Sequence, residues 1–408
     1  MRSMLIGITH PSFATLGGAE VLLARQIAGL HARGHRVRLV TMALDPARWP
    51  AVAAAAEVRL APKHWTDSLL PAARRQRRRV TRQAAQLAGV DVVLASGHPA
   101  NLVAAESSAP RRVWYCNEPS RRLHFAATYP TLVAHALAAR DDSPLCAYVR
   151  RRLVEDDAAS ARLTPLRRAD ADAVRRLDGV IANSAYAALL VRRVFGREPD
   201  AVVFPTVPPP SVAPPPRHPI DPRALRVLVH SRLELLKNLD PVLHGFARFA
   251  ARHPGAHELH VVGTGPDAPR LRALAQGLVG ARAHFHDFLV DSALPEIYAR
   301  CDVMAAVPPD EPFGMVFPEA ALRGLLLVGP DHGGPADIIG RGAYGWAVDA
   351  FSADAIAGAL EEIVALSADE AAARRARAAD ACRARYGEEA TVEALLEVLE
   401  GQEPGTRD

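Results

Sequence analysis

Cysteine is scarce in this 408-residue chain. Its four residues, Cys116, Cys146, Cys301 and Cys382, are too scattered for a Cys-x-x-Cys or zinc spacing. That excludes a disulfide scaffold and a cysteine-based metal site, and it predicts reduced, buried thiols. Long apolar runs are also missing. No stretch approaches the roughly 18 residues needed to cross a bilayer. The opening Met1-Arg2-Ser3-Met4-Leu5-Ile6-Gly7-Ile8 lacks the long apolar segment and small-residue cleavage site of a signal peptide, and it reads as a first buried strand. The chain is therefore expected in the cytoplasm, either free or held at the inner face of the membrane. There is no repeat at solenoid periods, and the glycine turn Leu16-Gly17-Gly18-Ala19-Glu20 is not the G-x-G-x-x-G dinucleotide pattern.

What is present suits two ordinary cores: 408 residues, 49% of them hydrophobic. Charge is divided unevenly. Residues 1–200 hold 30 basic and 17 acidic residues, a balance of +13; of the chain's 49 and 45, that leaves 19 and 28, a balance of −9. A basic front half points to an anionic partner. The run Arg74-Arg75-Gln76-Arg77-Arg78-Arg79, followed by Arg82, fits either an anionic membrane surface or a solvated helix face. No aromatic residues interleave with these arginines, which speaks against nucleic acid.

The first half alternates strands and helices. Met4–Thr9 reads as a strand, Gly17-Gly18 as a loop, Ala19–Arg33 as a helix closed by Gly34, and His35–Thr41 as the next strand. This is the start of a parallel doubly wound sheet. Later strands are expected at Val90–Ala95, Arg112–Cys116, Gly179–Ala182 and Ala201–Phe204, with helices over Leu69–Ala88 and over Leu145–Leu177, the latter broken near Pro165. Prolines crowd between Pro205 and Pro222, and proline without a backbone donor does not sit inside a sheet, so this is a semi-rigid linker. A second alternation then runs from strand Arg226–His230 to strand Leu326–Val328. A helical tail, Ala368–Leu399, is broken near Tyr386-Gly387. The expected division is a first domain over 1–205, a linker over 206–222, a second domain over 223–385, and a final helix over 386–408.

Four clusters carry chemistry. In Glu311-Pro312-Phe313-Gly314-Met315-Val316-Phe317-Pro318-Glu319, two carboxylates flank seven residues between a strand and a helix. They can accept hydrogen bonds from sugar hydroxyls, and Gly314 lets backbone approach a ligand. The N–H groups that open the helix favour phosphate. Ser231-Arg232-Leu233-Glu234-Leu235-Leu236-Lys237-Asn238 follows the second domain's first strand, where such sheets bind ligands. A forked Arg and a point-charge Lys suit a diphosphate. Leu16-Gly17-Gly18-Ala19-Glu20, after His10-Pro11, is a glycine turn opening a helix. Finally, Asn117, Glu118 and Arg121 follow one strand, and Ser96-Gly97-His98 another, both at carboxyl ends. Asp170-Ala171-Asp172 matches a metal-binding string but falls in a helical, Arg-rich stretch, so no metal is expected there.

In order along the chain, Gly-Gly-Ala-Glu, Asn117-Glu118-Pro119, Ser-Arg-Leu-x-x-x-Lys, Val262-Gly263-Thr264-Gly265-Pro266, Glu-Pro-Phe-Gly…Glu and Gly333-Gly334 resemble the retaining glycosyltransferases of family 4, in group 1 of the glycosyl transferases. The resemblance implies an α/β GT-B fold: two Rossmann-like doubly wound parallel-sheet domains facing a central cleft. It further implies that Arg232 and Lys237 bind the donor diphosphate, that Glu311 contacts donor-sugar hydroxyls, and that Glu319 holds the ribose. Backbone at Phe313, Gly314, Met315 and Val316 would touch sugar and phosphate. Gly17 and Gly18 would lie by the phosphates and the acceptor, and the loop after Gly263 and the segment 286–289 near the base. Departures from the family pattern are Asn117 for a usual His, Asn238 for Gly, Asp337 for Glu and Leu326 for Pro.

The expected reaction is metal-independent transfer of a sugar, with retention, from a nucleoside-diphosphate sugar to a glycan, lipid-linked or small-molecule acceptor. No further cofactor is expected. The neighbourhood of residues 115–121 resembles mannosyltransferase-like members and tilts the donor toward GDP-mannose over UDP-sugars. The alternative is a non-catalytic sugar-nucleotide binder or membrane-surface scaffold, which Asn117 favours.

Overall fold

Runs of consecutive apolar residues make the strands, because a parallel sheet covered on both faces has no solvent side. Val92–Ser96 illustrates this, with all five residues buried. The computed structural model describes residues 3–14, 17–61, 68, 70, 72–138, 142–210, 213–287 and 293–402. It divides into two units, each built on one parallel sheet.

The first unit comprises Met1–Thr128, Arg152–Thr206 and Glu388–Asp408. Its strands are β1 (Leu5–Thr9), β2 (Arg36–Thr41), β3 (Ala56–Leu60), β4 (Val92–Ser96), β5 (Arg111–Cys116), β6 (Gly179–Ala182) and β7 (Ala201–Val202). They lie in the order β3-β2-β1-β4-β5-β6-β7. Because successive side chains in a strand point to opposite faces, Val92 and Leu94 join one core with Ile6, Ile8 and Tyr115. Val93 and Ala95 join another with Trp114, Cys116 and Val180. The final helix, Glu388–Glu400, belongs to this unit. It buries Val392, Leu395 and Leu399 beside Ile27 and Leu30, and Arg111 donates to the Val398 carbonyl at 2.9 Å.

The second unit comprises Tyr129–Arg151 and Val207–Gly387. Its strands are β8 (Arg226–His230), β9 (Glu258–Val262), β10 (Ala283–His286), β11 (Val303–Ala305), β12 (Leu326–Pro330) and β13 (Trp346–Val348), in the order β10-β9-β8-β11-β12-β13. Helices Asp240–Arg252, Ala268–Val279 and Ala353–Val364 cover one face through Phe246, Phe249, Leu271, Ile356 and Leu360. The two doubly wound parallel sheets expected from the sequence are both present.

Three local expectations need correction. Tyr129–Arg151 clusters with the second unit, not with the rest of 1–205. The reason lies in contacts far apart in sequence: the Asp310 carboxylate accepts from the Thr131 and Leu132 N–H groups at 3.3 and 2.8 Å, and His135 stacks on Phe351 with ring centroids 3.7 Å apart. Second, the break in the long helical stretch falls at Ala159, between helices Pro144–Ala158 and Ser160–Arg176, with Pro165 inside the latter. Ala159 closes the first helix on Glu155 and opens the second by accepting from Arg162 and Leu163, all at 3.0 Å. Third, part of the proline-rich linker is anchored. Arg217 donates to the carbonyls of Ala299, Cys301, Tyr298 and Arg323, and burial, then the charge of Arg375, pushes its guanidinium down to about 10.

All four cysteines are buried and free. Among the described residues, no helix is long and apolar enough to cross a membrane.

Candidate active site

In a doubly wound sheet the strand order reverses at a switch point, and loops leaving the carboxyl ends there splay apart to form a crevice. In the second unit that point lies between β8 and β11. The loop after β8 carries Ser231–Asn238, and the loop after β11 carries Asp310 and Glu311. The structure joins them: Lys237 Nζ donates to Glu311 Oε2 at 2.7 Å, with side-chain exposures of 22% and 18%. Only two of the chain's basic residues are lysines, Lys63 and Lys237.

Lys237 ends a short 3-10 turn, Leu235–Lys237, whose following residue Asn238 takes a left-handed conformation (φ 55°). Asparagine tolerates that region better than most residues. Here its amide also donates to the Val307 and Ala350 carbonyls at 3.2 and 2.8 Å. This accounts for asparagine where the resemblance leads one to expect glycine. Leu326 in place of proline is equally local: its N–H donates to the Asp302 carbonyl at 3.0 Å, a bond proline cannot make.

Two glycine loops hold these segments in place. Gly263 adopts φ 138°, and a Cβ there would stand 1.9 Å from the Ser231 carbonyl. The Leu233 N–H donates to the Thr264 carbonyl at 2.9 Å, so this loop is laid directly on the Arg232 segment. A Cβ at Gly334 would stand 2.1 Å from the Pro312 carbonyl, and the Gly334 N–H donates to the Glu311 carbonyl at 2.8 Å. Asp310 is left-handed (φ 55°), and its N–H meets His332 Nε2 at 3.3 Å. Glu311 is thus presented by a loop clamped on both sides.

The other proposed donor residues sit as follows. Arg232 lies beside Glu234 at 3.6 Å with its side chain 69% exposed. Phe313 is buried edge-on against Tyr386, so its side chain is packing while its backbone borders the loop. Gly314 (φ 87°) precedes the helix Val316–Leu322, Met315 is that helix's N-cap, and Glu319 lies in its first turn. Of the segment 286–289, Phe288 and Leu289 lie outside the described residues.

A second cluster escaped the sequence reading. His230, the last residue of β8, meets the Tyr298 hydroxyl through Nδ1 at 2.7 Å, and Arg323 stacks over the Tyr298 ring at 4.9 Å. Burial, reinforced by the Arg323 charge, pushes His230 down to about 4. The unfolded chain takes up that proton near pH 6.5, the folded chain only near 4. Acidification through this interval therefore favours unfolding. An NMR titration should find the His230 ring neutral at pH 5, and replacement by Gln should flatten the stability loss between pH 6.5 and 4.

In the first unit, Asn117 follows β5 and its amide reaches Ser96 Oγ at 3.4 Å. Gly17 is the N-cap of helix Gly18–Ala32. His10 bridges the Ser96 carbonyl (3.2 Å) and the Glu20 carboxylate (3.3 Å). Burial raises the Glu20 pKa, but the His10 bond, a backbone hydrogen bond and the His10 charge together outweigh it, and the net shift is downward. His98 is not aimed at Asn117: its Nδ1 is held by Asp170 at 3.2 Å. Asp170 is a buried hub that also receives Asn101 (2.7 Å) and His124 (3.0 Å). Asp172, two residues on, is exposed and pairs with Arg175.

Residues 215–381 match the family model for glycosyl transferases group 1. That segment, under half of the chain, is similar to a glycosyl transferases group 1 domain, and the two doubly wound parallel sheets match the GT-B fold. Among particular relatives, the chain is 30% identical over 187 residues to the D-inositol 3-phosphate glycosyltransferase of Rhodococcus opacus, covering 44% of this chain and 41% of that protein. The match thus spans about two fifths of that relative's length. Among solved structures, it is similar to Anabaena HepE in complex with UDP-glucose (17% identity, 98% and 100% of the two chains, TM-score 0.71). It is also similar to sucrose-phosphate synthase from Thermosynechococcus elongatus (16% identity, 98% of each chain, TM-score 0.71). At such identities these two structures establish the fold.

Proposed function

We propose that this chain is a glycosyltransferase that moves a hexose, with retention and without a divalent metal, from a nucleoside-diphosphate sugar to an acceptor hydroxyl. The observation that carries this reading is the Lys237–Glu311 pair at the switch point of the second unit. Without ligand the two charges neutralise each other. A bound donor offers each a better partner, phosphate oxygens for the ammonium and sugar hydroxyls for the carboxylate. The difficult step is loss of the diphosphate from the anomeric carbon, as negative charge grows on the leaving oxygen. Lys237 and Arg232 face that charge, and the departing phosphate takes the acceptor's proton. Glu319 is read as the ribose ligand, Gly263 as bordering the base, and the backbone of 313–316 as lining sugar and phosphate. Asn117, Gly17 and Gly18 keep the sugar- and phosphate-facing roles the resemblance implies.

The relatives support a nucleotide-sugar donor: one is named as a glycosyltransferase and one was solved with UDP-glucose. UDP and GDP both stand as donor bases, and the 115–121 neighbourhood favours a mannosyl donor. The test is a panel of UDP-, GDP-, ADP- and TDP-sugars, read first by thermal shift, since a native-state ligand raises stability, then by release of nucleoside diphosphate with and without EDTA. One nucleotide should stabilise the protein, and its sugar should turn over in EDTA. Binding without turnover under any acceptor would replace this reading with the non-catalytic binder, whether the chain is held at the cytoplasmic face of a membrane or free in the cytoplasm.

A further inference from the structure

The loop that presents Glu311 has few backbone donors of its own. Of the six residues 307–312, three are prolines, Pro308, Pro309 and Pro312, and carry no N–H. The helix Pro130–Ala138 has the complementary need. The first N–H groups of a helix find no partner inside it. Pro130 has none to offer, and the first intrahelical bond runs from the Val133 N–H to the Tyr129 carbonyl at 2.9 Å. The Thr131 and Leu132 N–H groups lie between. Tyr129, the residue before the helix, lacks the short side-chain oxygen of a usual cap. Asp310 supplies that oxygen from 179 and 178 residues away, one carboxylate accepting from both N–H groups. Its negative charge also suits the positive end of a helix.

This junction is dry. Asp310 is 1% exposed and Leu132 is fully buried. Little water competes for the bonds, so the carboxylate stays where its donors are. One turn along the helix, His135 lies flat on Phe351, with the rings 4° from parallel, and holds the same helix to the same unit. The chain enters Tyr129–Arg151 from the first unit and returns to it at Arg152. Glu311 is the next residue after Asp310. Its placement therefore depends on a helix whose two flanks continue into the first unit.

We propose that Asp310 is a positioning residue: by capping the helix Pro130–Ala138, it sets where Glu311 offers its carboxylate to the donor sugar. This rests on the glycosyltransferase reading, in which Glu311 meets sugar hydroxyls and the cations meet the diphosphate. Arg232 and Lys237 come from the loop after β8, which is held separately by the Leu233–Thr264 bond and by Asn238. Loosening the cap thus displaces the group that reads the sugar more than the groups that hold the nucleotide.

The test is calorimetry on the full chain with UDP against UDP-glucose and GDP against GDP-mannose, for the parent, Asp310→Asn, His135→Ala and Glu311→Gln. Asparagine adopts the left-handed backbone of position 310 readily, so Asp310→Asn removes the charge and one acceptor without straining the loop. It should weaken the sugar nucleotide about tenfold, the scale of one charge-assisted bond, and leave the bare nucleotide within about twofold. His135→Ala should show the same selectivity at about threefold, the scale of a stacked ring pair. A purely structural role would lower the melting temperature and weaken nucleotide and sugar nucleotide alike. Equal loss for both ligands, or no loss, in either variant overturns the proposal while Glu311→Gln remains selective for the sugar. Should Asp310→Asn fail to fold, His135→Ala decides alone. A parent that binds neither pair, or a Glu311→Gln variant without selectivity, sinks the donor-site reading first and this inference with it.

Discussion

Replacing Lys237 with alanine should lower turnover by about 10²- to 10³-fold, the usual effect of deleting one donor aimed at developing charge. Arg232→Ala should cost less, about tenfold. The difference follows from burial. The Lys237 side chain is 22% exposed and already held on Glu311, whereas Arg232 is 69% exposed. A charge screened by less water acts more strongly on its neighbour, and one already in position loses little freedom when the transition state forms. Lys237→Ala also leaves Glu311 without its amine. Because Glu311 is only partly buried, the stability loss should be about 1 kcal/mol, well below the 3–5 kcal/mol of a fully buried pair. Nucleoside diphosphate release and thermal melting measure the two effects separately. Turnover within threefold of the parent, with the fold intact, would remove Lys237 from the donor machinery.

Replacing Asp170 with alanine should destabilise the first unit by about 4 kcal/mol. Asp170 is 1% exposed, and its loss leaves buried Asn101 and the part-buried His98 and His124 without this acceptor. For a unit of this size the melting transition should fall by about 10 °C. Asp170→Asn keeps the volume and one acceptor, so it should lose roughly half as much. The acid response has a defined sign. Burial alone would raise the Asp170 pKa, but the bonds from His124, His98 and Asn101 outweigh it and hold the carboxyl far below the ordinary aspartate range. The unfolded chain protonates near pH 4 and the folded chain only well below. This stability is therefore complete above pH 4 and drains away as pH falls further. Urea denaturation at pH 3 and 6 should show the gap between parent and Asp170→Asn narrowing at the lower pH. An unchanged gap would mean that another group carries the acid sensitivity.

The same two residues show how far reading along the chain reaches. Lys237 and Glu311 were legible because each follows a buried strand, and doubly wound sheets bring the carboxyl ends of such strands together. Asp170 was legible only as part of a metal-like string. Its partners lie 46 to 72 residues away, and nothing local in Asp170-Ala171-Asp172 says which carboxylate turns inward. His230 had one local signal, a polar residue ending an apolar strand; that it packs against Tyr298 and Arg323 had none.

Period and position could be read from sequence alone because they rest on short-range physics. Alternating apolar runs specify strands, three-and-four spacing specifies helices, and proline and glycine end both. Thus two parallel sheets, the position of the Arg232–Lys237 and Glu311–Glu319 segments beyond strand ends, and the helix break at Gly387 follow from local pattern. Only tertiary structure decided that Tyr129–Arg151 joins the second unit through Asp310 and that Arg217 ties down part of the proline-rich segment. Each of these outcomes depends on which buried polar groups find partners across long sequence separations. That pairing is settled by the packing of whole elements, since an unpaired buried charge costs more than any local preference can return.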